Sequence, residues 1–348
     1  MQSRRRKHLV LIPVMAILIA LSFSIAPVVE SIAAEEVKIN IAGARVKDPW
    51  YAFSQALANF INKKSDWLRA EAVATAGLTA NIEMISDKPQ QYIGLAPTST
   101  TLHARPGHEW SKARKAYTGA RFIANITTMT QLLVTFDPTI KSIKDLKGKT
   151  VDVGRKGAGN TPDHIAILKA YGVLDDVKLI YTGFGGGAKR MMDGFCDATF
   201  LIVNHTYPHK FSPGPLVDRL ETKKPVHYVG FDHDILLKLR REEHGTVPVR
   251  VPAGALGQNQ PEALWAFNDP VYLMADESMD PKIVNEVTRV IFETPAEEWA
   301  KWHPQGEHMT TTFKTATPVP EVVPAHAGTE SYYQEKGIAM TDLADQLK

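Results

Sequence analysis

The stretch DVGRKGAGNTPDHIAILKAYG, residues 152–172, has the spacing that most directly suggests chemistry. A short apolar strand runs into glycines at 154, 157 and 159. Asn160, Thr161 and Pro162 follow, then an apolar-periodic helix. Gly154, four residues, Gly159, Asn160 and Thr161 is one letter away from a phosphate-binding P-loop, which needs Lys where Asn160 stands. Without that lysine the loop has no grip on β- and γ-phosphates. What remains is a helix start. Glycines permit close backbone approach, Asn160 or Thr161 can cap, and Pro162 suits the first helical position. The amides from Gly157 through Ala158 and Gly159 to Thr161, with the helix dipole behind them, suit a carboxylate. The bland alternative is a simple turn, with Asp163 capping its own helix.

Other polar clusters say less. TGFGGGAKR (182–190) lacks dinucleotide-binding spacing and the acidic residue that should follow, so it reads as a closely packed turn. His205 and His209 are four apart, but Pro208 stands between them and no acidic third ligand is near. FDHD (231–234) is ordinary loop chemistry. No metal and no cofactor is expected. There is no G-x-S-x-G elbow, no H-E-x-x-H and no convincing base beside a nucleophile. Cys196, the one cysteine, precedes the apolar DATFLIV and reads as a small buried hydrophobe. The WYAF start at 50–53 offers either ligand stacking or core packing.

The chain that must position these groups has 348 residues, with 40 Lys+Arg against 38 Asp+Glu. Much of the basic excess sits in the first residues, so nothing points to nucleic acid. Residues 1–34 combine a basic start (Arg4, Arg5, Arg6, Lys7), a long apolar run and small residues at Ser31, Ala33 and Ala34. This predicts a secretory signal cut after Ala33 or Ala34; the competing reading is a retained anchor. Without a Cys there, it is not a lipoprotein signal. One cysteine allows no internal disulfide, so the exported chain must be held by its cores.

Hydrophobic periodicity gives β-α-β-α-β from 37 to 101, with Thr79 as a candidate helix cap and a polar loop after the third strand. A long β-rich run spans 120–137. A second β-α-β-α-β unit follows from 150 to 203. The stretch 204–262 is rich in Pro, Gly and His and resists parsing. Residues 263–276 return to β, and 280–303 give helices interrupted at Pro295. The predicted fold class is α/β: two lobes joined by crossing strands near 130–138 and 262–270, with a cleft between them. The predicted lobes are 35–137 plus 263–348, and 138–262. Loops following the parallel strands should face the cleft.

Five stretches together resemble a known family: AVATAGLTANIEMI, IKDLKGKTVDVGRKGAGNT, MMDGFCDATFLIVNHTYP, VPAGALGQ and HAGTESYYQEKG. The chain resembles, from about residue 37 to 339, the TAXI solute receptors of tripartite ATP-independent periplasmic (TRAP) transporters. The 154–161 loop and the D-G-x-x-D-A segment also occur in receptors of ABC systems. The resemblance implies a type II-like periplasmic binding fold that closes on a small carboxylate-bearing solute. It further implies a monomer in the periplasm that serves an ion-coupled TRAP permease. Alternatives from other classes are an ABC receptor, an exported two-lobed enzyme or a structural surface protein.

Carried over by motif, the resemblance places ligand contacts at Gly157, Gly159 and Asn160, at Asn81 four residues after Gly77, and at Thr98 and Ser99. The loop after the first strand departs from the family's Gly-Gly-Thr-Tyr-Tyr pattern: here it is ARVKDPWY, with only Tyr51 kept. Ala158 replaces the usual Ser, and Asn160 the usual Thr. Arg45, Lys47 and Trp50 add charge and an aromatic face, pointing to a bulkier or more strongly anionic carboxylate. Asn125, Thr127, Asn204 and Tyr207 are weaker candidates, placed only by lying beside strand ends.

Overall fold

A computed structural model describes residues 36–108, 114–206, 209–242, 244–302, 306, 318–320 and 322–343. The expected signal segment and Tyr207 lie outside the described residues. No helix among the described residues is long and apolar enough to cross a membrane.

The first unit runs β1 (Val37–Ala42), α1 (Pro49–Lys64), β2 (Leu68–Val73), α2 (Leu78–Asp87), β3 (Tyr92–Pro97) and α3 (Thr98–His103). Helix α1 has Pro49 in its first turn and Lys63 and Lys64 in its last, as the helix dipole favours. Its stripe of Phe53, Leu57, Phe60 and Ile61 is buried; each such side chain contributes roughly 1.5–3 kcal/mol. The expected polar loop after β3 is instead the short helix α3. Thr79 is not a cap: the N-cap of α2 is Gly77, whose φ of 139° suits glycine, and no side chain caps the helix.

The long strand β4 (Ala120–Thr135) leads to the second unit: β5 (Thr150–Asp152), α4 (Thr161–Ala170), β6 (Lys178–Ile180), α5 (Phe184–Met192) and β7 (Ala198–Thr206). The stretch that resisted parsing holds β8 (Lys210–Ser212), α6 (Pro215–Glu221), β9 (His227–Val229), α7 (His233–Arg241) and β10 (Val247–Val251). Its elements are short and punctuated by Pro and Gly, which hides periodicity. Strand β11 (Leu264–Asp276) and helices α8 (Pro281–Glu293), α9 (Ala296–Ala300) and α10 (Ala327–Lys336) follow.

The main sheet order is β2-β1-β3-β11-β4-β7-β5-β6. Its two halves repeat one plan. Strand β1 lies parallel between β2 and β3, and β5 lies parallel between β6 and β7. Antiparallel β11 closes the first set against β3, and antiparallel β4 closes the second against β7. Both long strands change partners midway. Residues 120–129 of β4 pair with β11, whereas 130–135 pair with β7. Residues 264–268 of β11 pair with β10, whereas 269–276 pair with β4. The exchange points meet, because Met129 and Asp269 are register partners. The result is an α/β fold in which two β-α-β-α-β units share one sheet and are joined by two long strands that exchange partners.

The C-terminal HAGTESYYQEKG is architectural. His326 Nδ1 accepts the Gly328 amide at 3.1 Å and caps α10. A Cβ on Gly328 would fall 2.8 Å from the Asn285 nitrogen, so glycine lets α10 lie close on α8. Gly337 ends the helix at φ 65°.

Candidate functional site

The loops at the carboxyl ends of the parallel strands enclose a cavity of about 420 Å³. Ala44, Arg45, Asp48 and Trp50 follow β1; residues 76–80 follow β2; Pro97 and Thr100 follow β3. Residues 154–160 follow β5, and Gly183 and Phe184 follow β6. Met129 and Asp269, the strand-exchange pair, also line it. Both halves of the fold therefore contribute walls.

The glycine loop is held by its neighbours. Buried Asp152 accepts the amides of Gly154 at 2.9 Å and Thr182 at 3.0 Å, joining the loops after β5 and β6. Thr161 Oγ1 donates to the Arg155 carbonyl at 2.7 Å. Gly154 and Gly157 have φ of 100° and 78°, where a side chain would be strained. Gly159 is different: its Cβ would collide with Thr100 Oγ1, from α3 of the first β-α-β-α-β unit. The amides of Ala158 and Thr161 are used inside the turn, by the carbonyls of Arg155 and Ala158. The row of amides expected to hold an acid is thus narrower than the sequence suggests.

Charge around the cavity is mainly basic. Arg45 pairs with Asp48 at 3.0 Å, and Arg114 with Glu83 at 2.5 Å. Among the described residues, Arg155 and Lys156 have no ion-pair partner; Lys156 lies 5.1 Å over the Tyr181 ring. Asp269 is fully buried and accepts from Thr98 Oγ1 at 2.9 Å, Ser99 N at 3.0 Å and Ser99 Oγ at 2.5 Å. Burial is the largest influence on its carboxyl. Helped by the nearby charge of Asp163, it outweighs those three donors and pushes the pKa up to about 7.

Of the expected contacts, Arg45, Trp50, Gly157, Ala158, Gly159 and Asn160 line this cavity. Asn160 also reaches Gln131 Oε1 at 3.3 Å. Gln131 in turn meets buried His164, whose pKa burial lowers to about 4. Thr161 lines a second cavity of about 680 Å³, which shares Thr79, Arg114 and residues 156–159 with the first.

Several expected contacts are placed elsewhere. Asn81 is wholly buried and gives its amide to the carbonyls of Ala42, Gly43 and Leu95 at 2.6–3.0 Å. Its oxygen lies 2.7 Å from Thr75 Oγ1, so it clamps β1, β3 and α2 together. Thr98 and Ser99 serve Asp269 and do not line the cavity. Asn204, near the end of β7, turns to Ser212 and to the Pro213 carbonyl. Tyr51, Asn125 and Thr127 are not among the cavity-lining residues. His205 Nδ1 lies 2.8 Å from Thr130 Oγ1 and its ring stacks on Phe211. Asp163 does not cap its own helix: its Oδ1 lies 3.0 Å from His244 Nδ1. Burial pushes the Cys196 thiol up to about 11.

Sequence reasoning missed Asp269, although an acid inside the apolar LWAFNDPVYLMAD was a visible signal. It also missed His103 and His244, which no local spacing connects to Asp163.

A family model described as NMT1-like matches residues 41–337. It does not itself name the TAXI receptors that the motifs resemble. Among solved structures, the periplasmic aliphatic sulphonate-binding protein SsuA of Escherichia coli aligns with 89% of this chain and 91% of its own, at 10% identity and TM-score 0.44. A Methylobacillus flagellatus protein named for a sulfonate ABC transporter aligns over 90% and 92%, at 14% identity and TM-score 0.47. A Listeria monocytogenes protein named for an L-cystine ABC transporter aligns over 76% and 95%, at 15% identity and TM-score 0.42.

Proposed function

The chain belongs to the NMT1-like family, and on that footing we propose that it is a periplasmic solute-binding receptor. It captures a small anionic organic solute between its lobes and delivers it to a membrane permease. The lobes are residues 35–137 with 263–348, and 138–262, hinging where β4 and β11 exchange partners. One observation carries the reading: the cavity at the strand ends is walled by loops of both β-α-β-α-β units and carries Arg155 and Lys156, which have no acidic partner among the described residues. Its size suits a small molecule, since such pockets run from about 300 to 1,000 Å³. Closure follows if the solute binds the closed arrangement better than the open one.

The permease has two candidates. The motifs resemble TRAP receptors, whereas the transporters named for the solved neighbours are ABC systems. Uptake into vesicles carrying the permease encoded beside this chain separates them. Loss of uptake on collapsing the ion gradient marks TRAP; dependence on ATP hydrolysis marks ABC.

Native mass spectrometry of the purified protein and a thermal-shift panel of carboxylates and sulfonates test the core claim. A receptor gives one bound anion per chain, recovered chemically unchanged, and a raised melting temperature. A panel in which no anion stabilises the protein counts against the proposal, and so does turnover of the bound compound.

A further inference from the structure

Behind the glycine loop lies a cluster that solute binding does not use. His103 ends α3 on the first lobe. Asp163 sits in the first turn of α4 on the second, and His244 follows α7. One ligand atom from each lies within 4.8 Å of the other two. His244 Nδ1 is 3.0 Å from Asp163 Oδ1, and His103 Nε2 is 3.6 Å from the same oxygen. Asp163 is fully buried and His103 is 7% exposed, yet Asp163 Oδ2 and His103 Nε2 make no hydrogen bond. Two buried polar atoms left this way carry a desolvation penalty with nothing to offset it.

We propose that His103, Asp163 and His244 form a binding site for a divalent transition-metal ion of the Zn²⁺ class, held across the boundary between the lobes.

His103 Nε2 faces the Asp163 carboxylate at 3.6 Å, too long for a good hydrogen bond, and a cation between them would satisfy both. Two imidazoles and one carboxylate suit zinc, iron, cobalt or nickel, whereas magnesium and calcium prefer all-oxygen sets. Tetrahedral zinc with bonds near 2.0–2.1 Å places its ligand atoms about 3.3 Å apart. The distances of 3.0 and 3.6 Å to Asp163 Oδ1 bracket that spacing. His103 and His244 also line the cavity of about 680 Å³, so a fourth position can open there to water or an anion. The proposal stands whether or not the other cavity binds a solute.

The test is titration of the full chain, stripped of metal by chelation, with Co²⁺ and then Zn²⁺. The expected result is one Co²⁺ per chain with visible d–d absorption, displaced by Zn²⁺. His244→Ala, at a half-buried position, should weaken Co²⁺ binding by at least the ~10–100-fold that loss of a supporting group alone costs. His103→Gln should do the same while the metal-free melting temperature stays near wild type. If His103→Gln does not fold, His244→Ala decides. Absence of stoichiometric Co²⁺ binding, or equal affinity in His244→Ala, overturns the site.

Discussion

At the scale of single residues, Asp269 and Asn81 separate support from binding. The Asp269 carboxyl titrates near 7 when folded, against 3.8 for an ordinary aspartate. Its proton is therefore bound more tightly in the folded state. Stability from this group is fully present below about pH 4 and is lost as pH rises through about 7. His164, lowered to about 4 by burial, acts oppositely and loses stability as pH falls below about 6.5. The wild-type curve thus mixes both. Asp269→Asn keeps the Thr98 and Ser99 partners in reach but cannot ionise. The difference in unfolding free energy between Asn variant and wild type should widen from pH 4 to 8, by no more than about 4 kcal/mol at roughly 1.4 kcal/mol per pK unit. Parallel profiles would show that the carboxyl is not perturbed. Asn81→Ala orphans three buried carbonyls and should cost about 1–3 kcal/mol in denaturant unfolding. Solute affinity, measured per folded molecule, should stay unchanged. A selective loss of affinity instead would restore Asn81 to the binding role that its motif suggests.

At the scale of elements, the glycine loop shows what spacing can and cannot convey. The strand–loop–helix succession was legible from Val151 to Ala170, because glycines and Pro162 punctuate it sharply. Its attachment was not. Gly159 is needed because Thr100, in α3 and nearly sixty positions away, occupies the space of a Cβ; no local pattern carries that. The same limit hid α3, whose residues Thr98–His103 favour turns as much as helix, and hid His103 with it. Both β-α-β-α-β units were legible because their strands alternate with amphipathic helices. Gly77-x-x-x-Asn81 was visible as a motif, but its role as a clamp depends on carbonyls from two other strands. Gly159→Val should weaken solute binding tenfold or more, about 1.4 kcal/mol per tenfold, read per folded molecule because overpacking against Thr100 also costs about 1–3 kcal/mol of stability. Isothermal titration checks this, and unchanged affinity removes the loop from the site.

At the scale of the whole molecule, closure depends on how near the lobes can come. Gly245, just after His244 on the proposed second lobe, meets Ser99 on the proposed first. A Cβ there would lie 2.6 Å from Ser99 Cβ, 2.8 Å from its Cα and 2.9 Å from its nitrogen. The nearest atoms are mostly backbone, held where Ser99 donates to Asp269 at the strand-exchange point. They cannot rotate aside as a side-chain tip would. Gly245→Ala therefore acts on the approach of the lobes and not on the core of either. Overpacking by one methyl costs about 1–3 kcal/mol, which shifts a two-state equilibrium by about 5–150-fold. The variant should fold normally but favour the open arrangement and bind solute more weakly by that factor. Small-angle scattering of wild type should show a smaller radius of gyration with a stabilising anion than without. Gly245→Ala should keep the larger radius at the same anion concentration and contract only at higher ones. If both proteins scatter identically with and without anion, the two strands do not act as a hinge, and capture must occur in a cavity that is already closed.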